Sequence, residues 1–148
     1  MTAVRRVTLL VLAVLGLSAC GSAGLSELNS ARARWNGKKP AAYSFVLQWG
    51  CFCPQEHLRP TRILVRDGVI QSVTDAETGA AADPEVRNAL TVEALFDRVQ
   101  EAYTRNAESV EATYDPTYGF TASVRIDYRR TTADDELSWT AKDFTVVP

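Results

Sequence analysis

A tight β-hairpin centred on Asp67 and Gly68 is the sequence feature that most restricts the fold of this chain. The residues before it (Ile63–Val65) and after it (Val69 and Ile70) are aliphatic, and Asp-Gly is the dipeptide that a two-residue primed turn prefers. Two strands within residues 63–74 are therefore expected to lie side by side and antiparallel. This hairpin is the clearest local prediction in the chain.

Further strands are indicated by apolar residues that recur with period two. On the first of them, Tyr43, Phe45, Leu47 and Trp49 share one face, and Pro54 ends the segment. Residues 76–88 are rich in Ala, Gly, Asp and Glu and predict a surface loop. The other expected strands are 110–114 and 122–128, joined by a turn at 115–119, followed by 137–140 and 144–147.

Two helices are indicated by apolar residues at helical spacing. Leu28, Ala31 and Trp35 predict a first helix in which Ser26 could cap the start and Gly37 marks the end. The second helix starts after a Thr91 cap and buries one face, which contains Val92, Leu95, Phe96, Val99 and Tyr103. The order of helix, strands, helix and strands predicts an α+β fold, with an antiparallel sheet and two helices packed on one face.

The first twenty residues have the features of an export signal. Arg5 and Arg6 precede an apolar run from Val7 to Leu17, which is shorter than the about 20 residues that a membrane-spanning helix needs. Leu17-Ser18-Ala19-Cys20 resembles the cleavage motif of bacterial lipoproteins, in which the cysteine thiol receives a diacylglycerol with acyl chains such as palmitate. An ordinary secretory signal with a chance cysteine is the alternative.

This interpretation divides the chain into a signal peptide (1–19), a lipidated tether (20–24) and a single domain (25–148). Cys20 is then the lipidation site, and the protein is expected outside the cytoplasm on the cell membrane or the outer membrane. Loss of Arg5 and Arg6 leaves 14 of the 16 basic residues against 18 acidic ones, a formal net charge of −4. No basic stripe remains for nucleic acid.

Several short motifs together resemble a known family of small bacterial lipoproteins, catalogued as a domain of unknown function. The resemblance covers most of the mature chain and implies no activity. The motifs that carry it are Tyr43-x-Phe45, Cys51-x-Cys53, Val65-x-Asp67-Gly68, Tyr114-Asp115-Pro116-x-x-Gly119-Phe120, Ile126-Asp127 and Asp135-Glu136.

Cys51 and Cys53 carry the most chemistry, and three interpretations of the pair are open. An oxidising compartment favours a disulfide, and the flanking Gly50 and Pro54 allow the chain to bend so that the thiols can meet. A redox-active dithiol is the second interpretation, although the usual redox motif has two intervening residues. The third is a metal site completed by His57, since thiolates and imidazole suit Cu(I) or Zn.

No catalytic arrangement is apparent in the sequence. No serine lies in a Gly-x-Ser-x-Gly motif, and His57 is the only histidine. We therefore expect that the protein is not an enzyme and that it binds no cofactor. Tyr118 and Phe120 flank a turn glycine and are candidate binding residues. The leading hypothesis is a non-catalytic binding or assembly module for an envelope protein or a small ligand. The alternative is a thiol-redox or metal-handling lipoprotein that uses Cys51, Cys53 and His57.

Overall fold

The computed structural model describes residues 19–132 and 134–148, and within these ranges the chain forms three helices and six strands. Residues 1–18 of the expected signal peptide (1–19) lie outside the described residues. The elements in chain order are α1 (Ala19–Lys38), β1 (Ala42–Cys51), α2 (Gln55–Leu58), β2 (Thr61–Arg66), β3 (Val69–Asp75), α3 (Val92–Thr104), β4 (Ser109–Tyr114), β5 (Thr121–Asp127) and β6 (Glu136–Val146). None of the described helices is both long and apolar enough to cross a membrane.

The six strands form a single antiparallel sheet in the order β3-β2-β1-β6-β5-β4. The predicted α+β class is confirmed at this level, and the number of helices is larger by one than expected. The extra helix, α2, is a single turn that follows Pro54, and a four-residue turn leaves no helical periodicity in the sequence. The C-terminal strand β6 lies between β1 and β5 and joins the two halves of the sheet.

The hairpin at Asp67-Gly68 forms as predicted. Asp67 has φ 50° and Gly68 has φ 77°, so both central residues are left-handed, as a type I′ turn requires. Arg66 pairs with Val69 across the turn. The local sequence alone was sufficient to place these two strands.

Strand β6 is continuous, whereas the sequence predicts two separate pieces. A bulge accounts for the difference: β1 advances two residues from Ser44 to Val46 while its partner strand advances three, from Lys142 to Thr145. Asp143 is the residue with a left-handed φ of 54° in this stretch. A bulge inserts one residue and restarts the alternation, which returns Phe144 to the core.

Helix α1 begins earlier than the sequence indicates. Residues 20–24, expected to form a tether, lie within α1, and Ser26 is an interior helix residue rather than a cap. Gly24 packs so closely on the ring of Tyr103 that a Cβ there would overlap its hydroxyl. Glycine has a weak helix propensity, and α1 nevertheless continues through Gly24, where it contacts α3. The division into signal, tether and domain stays a prediction.

The buried face of α3 agrees with its predicted pattern, with one exchange. Thr91 caps the helix by accepting a hydrogen bond from the Ala94 amide at 3.2 Å, and Ala102 is fully buried where Tyr103 was expected. Tyr103 is half-buried. The residues of the two long helices in the main buried cluster are Leu28, Ala31, Trp35, Val92, Leu95, Phe96, Val99 and Ala102.

The same cluster contains the apolar face of the sheet. Tyr43, Phe45, Leu47 and Trp49 of β1 all belong to it, as the alternation predicts. Burying a side chain of this size contributes about 1.5–3 kcal/mol, so one face of β1 supplies a large share of the core. The residues between them point to the opposite face of the sheet.

Candidate functional site

The cysteine pair at the end of β1 forms a disulfide, with the two Cα atoms 5.3 Å apart. The chain bends directly after the strand, and this bend gives the separation that a disulfide needs. The predicted local disulfide is therefore confirmed. The residue between the cysteines, Phe52, is 84% exposed, so the small covalent ring holds an aromatic side chain out into solvent.

The structure does not assemble Cys51, Cys53 and His57 into a three-ligand metal site. The two sulfur atoms bond to each other, and His57 lies in the short helix α2. In residues 19–132 and 134–148, no group of three His, Cys, Asp or Glu side chains is placed to hold a metal ion. The metal-handling hypothesis loses its ligand set for this reason.

Tyr118 and Phe120, the candidate binding residues, pack against β6, and their role in binding stays a prediction. Phe120 is buried and Tyr118 is half-buried, and the ring of each lies 4.9 Å from that of Phe144. The Asp115 carboxylate folds this turn by accepting hydrogen bonds from the Thr117 and Tyr118 amides. These aromatic residues therefore serve packing, because the turn directs them back onto the bulged strand β6.

Gly119 completes the same turn for a steric reason. Its φ is 92°, a left-handed conformation that disfavours residues with a Cβ. A Cβ at this position would also collide with the main-chain oxygen of Ala31 in α1. The Tyr114–Phe120 motif thus forms a turn that packs against α1, and its role is structural.

The face of the sheet opposite the core contains a shallow groove. The groove consists of three adjoining depressions, all lined by Arg125: two lie across β1, β6 and β5, and the third continues over β4 to the edge of the sheet, where it meets Glu27 of α1. The first, of about 270 Å³, adjoins the disulfide ring at Phe52. We define the open-face groove by its central residues, which are Gly50, Phe52, Ser123, Arg125, Glu136 and Ser138.

Gly50 forms the floor of the groove because it has no side chain. Its carbonyl accepts a hydrogen bond from the Ser138 hydroxyl at 3.1 Å, and a Cβ at residue 50 would overlap the same hydroxyl. The groove is bordered by α2, since Gln48 donates a hydrogen bond to the Leu58 carbonyl. Gly50 and Ser138 thus line both of the first two depressions, and α2 lies beside the second, which Gln48 lines.

Two opposite charges line the first depression without forming an ion pair with each other, and the third depression adds the carboxylates of Glu27 and Glu111, the latter opposite Arg125 in the strand register. Arg125 and Glu136 both line the first depression, and neither forms an ion pair with any partner in the described part of the chain. Seven other basic side chains do form such pairs, including Arg32, Arg59 and Arg87. The hydrogen-bonding groups of Arg125 and Glu136 are thus free to contact a ligand.

A buried ion cluster braces the loop beyond α2. Asp75 accepts hydrogen bonds from Arg59 Nε at 2.6 Å and from the buried Arg87 Nη2 at 3.1 Å, and Arg87 also lies 3.8 Å from Glu56 of α2. The hydrogen bond from Arg59 holds the pKa of the Asp75 carboxyl well below its usual range, against the opposing effect of burial, and the Thr78 amide adds to the lowering. These contacts join the end of β3 to α2 and to the loops around it.

A second polar cluster joins α1, β1 and α3. The Glu93 carboxylate accepts hydrogen bonds from Trp35 Nε1 at 3.0 Å, Lys39 Nζ at 3.3 Å and Tyr43 Oη at 3.2 Å. Burial acts to raise the pKa of Glu93, and the bonds from Trp35 and Lys39 outweigh it, so that the pKa is lowered. Burial and the nearby Glu93 charge raise the pKa of Tyr43. This cluster also lies outside the groove.

The residues that define the groove were missed in the sequence, although part of the signal was present. Arg125 lies between Val124 and Ile126, both buried, so strand alternation places it on the face opposite the core. Phe52 breaks the alternation of β1 and is enclosed by two cysteines. The order of strands was the missing information, because it decides which polar residues become neighbours.

Comparison with known proteins gives one match. A family model described as a family of unknown function (DUF6174) matches residues 27–146. No curated protein and no solved structure matches the chain. The match includes both α3 and the whole sheet, and therefore every residue of the groove.

Proposed function

The chain belongs to the family of unknown function DUF6174, and because that description names no activity, we propose a function from the geometry. The protein is a non-catalytic binding module of the cell envelope, and it binds its ligand in the open-face groove beside Phe52. The observation that carries this proposal is that three depressions converge on one unpaired cation, Arg125, next to an exposed aromatic residue.

The exposure of Phe52 supports binding because it has an energetic cost without a partner. An exposed phenylalanine forgoes the about 1.5–3 kcal/mol that burial of such a side chain contributes. The disulfide between Cys51 and Cys53 limits the conformations of the loop, and a side chain held in its bound arrangement loses less entropy on association. A preorganised aromatic residue is a typical anchor of a binding site.

The sheet supports the proposal by presenting two different faces. In our proposal α1 and α3 both pack on the core face, where their buried residues share one cluster with Tyr43, Phe45 and Leu47. An antiparallel sheet covered on one side can leave the other side in contact with water, and here Gln48, Ser123, Arg125 and Thr140 are exposed on that side. The groove lies on that second side and does not compete with the core.

The cell-envelope location rests on the sequence and on the disulfide. Disulfides persist in exported proteins and are rare in the cytosol, which agrees with an export signal over residues 1–19. In the proposal, Cys20 carries the lipid, and two acyl chains at about 0.8 kcal/mol per buried methylene suffice for stable anchoring. Cys20 falls in the first turn of α1, so the anchor would connect directly to the domain.

A catalytic role has less support because the carboxylates with shifted pKa values are engaged elsewhere. Asp75 accepts hydrogen bonds from Arg59 and Arg87, and Glu93 accepts them from Trp35 and Tyr43. Neither carboxylate lines the groove. The groove itself offers hydrogen bonds, charge and an aromatic surface, which suit recognition.

The binding site is tested with a photo-crosslinking amino acid placed at position 52 of the exported, full-length protein. We expect a discrete crosslinked product that is lost when Arg125→Ala is added. The matched control carries the same amino acid at Val69, which is 60% exposed near the other edge of the sheet. Equal labelling from positions 52 and 69, or labelling that ignores Arg125→Ala, would contradict the proposed site.

The anchor is tested separately by metabolic labelling with a palmitate analogue. The wild-type chain is expected to incorporate the label and to fractionate with membranes, and Cys20→Ala is expected to lose both properties. Label retained by the Cys20→Ala variant would remove the lipid anchor from the proposal. The double substitution of Cys51 and Cys53 by serine is the control for labelling at other thiols.

A further inference from the structure

The polar groups of the open-face groove have a composition that narrows the class of ligand. One guanidinium (Arg125), one carboxylate (Glu136) and four hydroxyls or amides line its first two depressions, together with the backbone at Gly50. The hydroxyls and the amide are those of Ser123, Ser138, Thr140 and Gln48. Donors and acceptors are thus interspersed, and the two charges are of opposite sign and unpaired.

The strand register arranges these groups in two rows. Gly50, Ser138 and Arg125 lie side by side on β1, β6 and β5. Gln48, Thr140 and Ser123 form the next row on the same three strands. Neighbouring strands lie about 4.8 Å apart, so each row spans about 10 Å. A flat array of this length suits an extended ligand rather than a single ion.

Phe52 lies at the end of this array and adds an apolar surface. It lines the first depression together with Arg125 and Glu136, and its ring is held out by the disulfide between Cys51 and Cys53. A ligand that uses both parts of the site must have an apolar face for the ring and hydroxyls or amides for the polar rows. Sugar rings combine these two properties.

The charges of Arg125 and Glu136 favour a neutral sugar chain over anionic chains, cationic chains and lipid surfaces. An anionic chain would be repelled by Glu136, and a cationic one by Arg125, whereas vicinal hydroxyls can donate to the carboxylate and accept from the guanidinium. Hydrogen bonds that involve an ionised group are about twice as strong as those between neutral groups. A lipid surface would leave the polar rows without partners, and unpaired polar groups are costly to desolvate.

We propose that the open-face groove binds a neutral carbohydrate chain, with one sugar ring stacked on Phe52 and its hydroxyls hydrogen-bonded to Arg125, Glu136 and Ser138. The inference rests on the proposed binding function and names its ligand class. Because the ligand carries no charge, its affinity is expected to be nearly independent of salt, in contrast to an interaction between exposed charges.

The experiment is isothermal titration of the purified chain, residues 20–148, with three neutral tetrasaccharides: cellotetraose, maltotetraose and tetra-N-acetylchitotetraose. A uronic acid tetramer serves as the anionic comparison. We expect at least one neutral probe to bind with a Kd of about 1 mM or tighter. The Kd should change less than about twofold between about 50 mM and about 500 mM NaCl.

Substitutions at two exposed residues test the location of the binding site without disturbing the core. Phe52→Ala and Arg125→Gln are each expected to weaken binding at least about tenfold, which corresponds to about 1.4 kcal/mol. Val69→Ala, at the other edge of the sheet, should leave the Kd unchanged. Far-ultraviolet circular dichroism checks that each variant is folded, and Arg125→Gln removes the charge but keeps an unbranched polar side chain.

The outcomes separate this inference from the proposed function. If only the uronic acid tetramer binds, if binding is abolished by salt, or if no neutral probe binds, the carbohydrate inference is wrong. If, in those cases, the photo-crosslink at position 52 still depends on Arg125, the groove binds another class of ligand, such as a protein, and the proposed function stands. If the crosslink also fails, both are wrong.

Discussion

Substitution of Glu93 by alanine should be strongly destabilising, although the residue is partly exposed. Glu93 is the common acceptor for Trp35 Nε1 and Tyr43 Oη, whose side chains belong to the core, and for the exposed Lys39. The Tyr43 hydroxyl also accepts a hydrogen bond from the Val92 amide, so its own hydrogen has Glu93 as its partner. Removing the carboxylate leaves two buried donors unsatisfied.

The expected loss follows from those two donors. A buried donor left without a partner costs about 1–3 kcal/mol, so two cost about 2–6 kcal/mol. The Glu93 side chain is 34% exposed, and water can therefore reach part of the vacated space. The lower end of the range applies, about 2–3 kcal/mol. This is a large fraction of the about 5–15 kcal/mol that a domain usually has.

Urea unfolding followed by far-ultraviolet circular dichroism measures this loss, because Trp35 fluorescence would respond to the substitution itself. With a slope of about 2 kcal/mol per molar, the midpoint should fall by about 1–1.5 M. Asp97→Ala is the matched control on the same helix, since its ion pair with Arg32 is exposed and is worth about 0–1 kcal/mol. Equal midpoints for Glu93→Ala and Asp97→Ala would refute the reasoning.

Two further predictions concern backbone geometry and acid stability. Gly119→Ala is expected to lower the free energy of unfolding by at least about 2 kcal/mol, because a left-handed alanine is strained and its Cβ would collide with Ala31. Gly37→Ala lies in open space on α1 and should be stabilising by about 0.5 kcal/mol. Thermal unfolding compares the two variants. The folded pKa of Asp75 is lowered, so its contribution to stability is present above the unfolded pKa of about 3.9 and is lost as the pH falls. Asp75→Asn should therefore be less stable than wild type at neutral pH, and urea titrations should show the gap narrowing below about pH 4; a gap that is constant from neutral to acid pH would contradict this assignment.

The parts of the fold that the sequence predicts are those that depend on neighbours along the chain. The turn at Asp67-Gly68, the Thr91 cap and the buried face of α3 were all correctly placed, because each rests on residues within about one or two helical turns or one hairpin. The disulfide between Cys51 and Cys53 belongs to the same group. Its partners are two residues apart, and only a bend between Gly50 and Pro54 was needed.

The errors arose where distant segments meet. Tyr118 and Phe120 flank a turn, and nothing local indicated that β6 brings Phe144 against both rings; their role as binding residues stays a prediction. The start of α1 was misplaced because Gly24, a poor helix residue, packs on Tyr103 of α3. In each case the local sequence preference was weak, and a tertiary contact decided the position of the residue.

The sequence by itself determined which residues of each strand face the core, since side chains alternate and the apolar set must be buried together. It thereby also placed Ser123, Arg125 and Ser138 on the opposite face. Only the tertiary structure decided that these three become neighbours of Gly50 and Phe52, because β6 inserts between β1 and β5. Strand order depends on long-range pairing, which leaves no periodic trace in the sequence, and the candidate binding site exists only through that order.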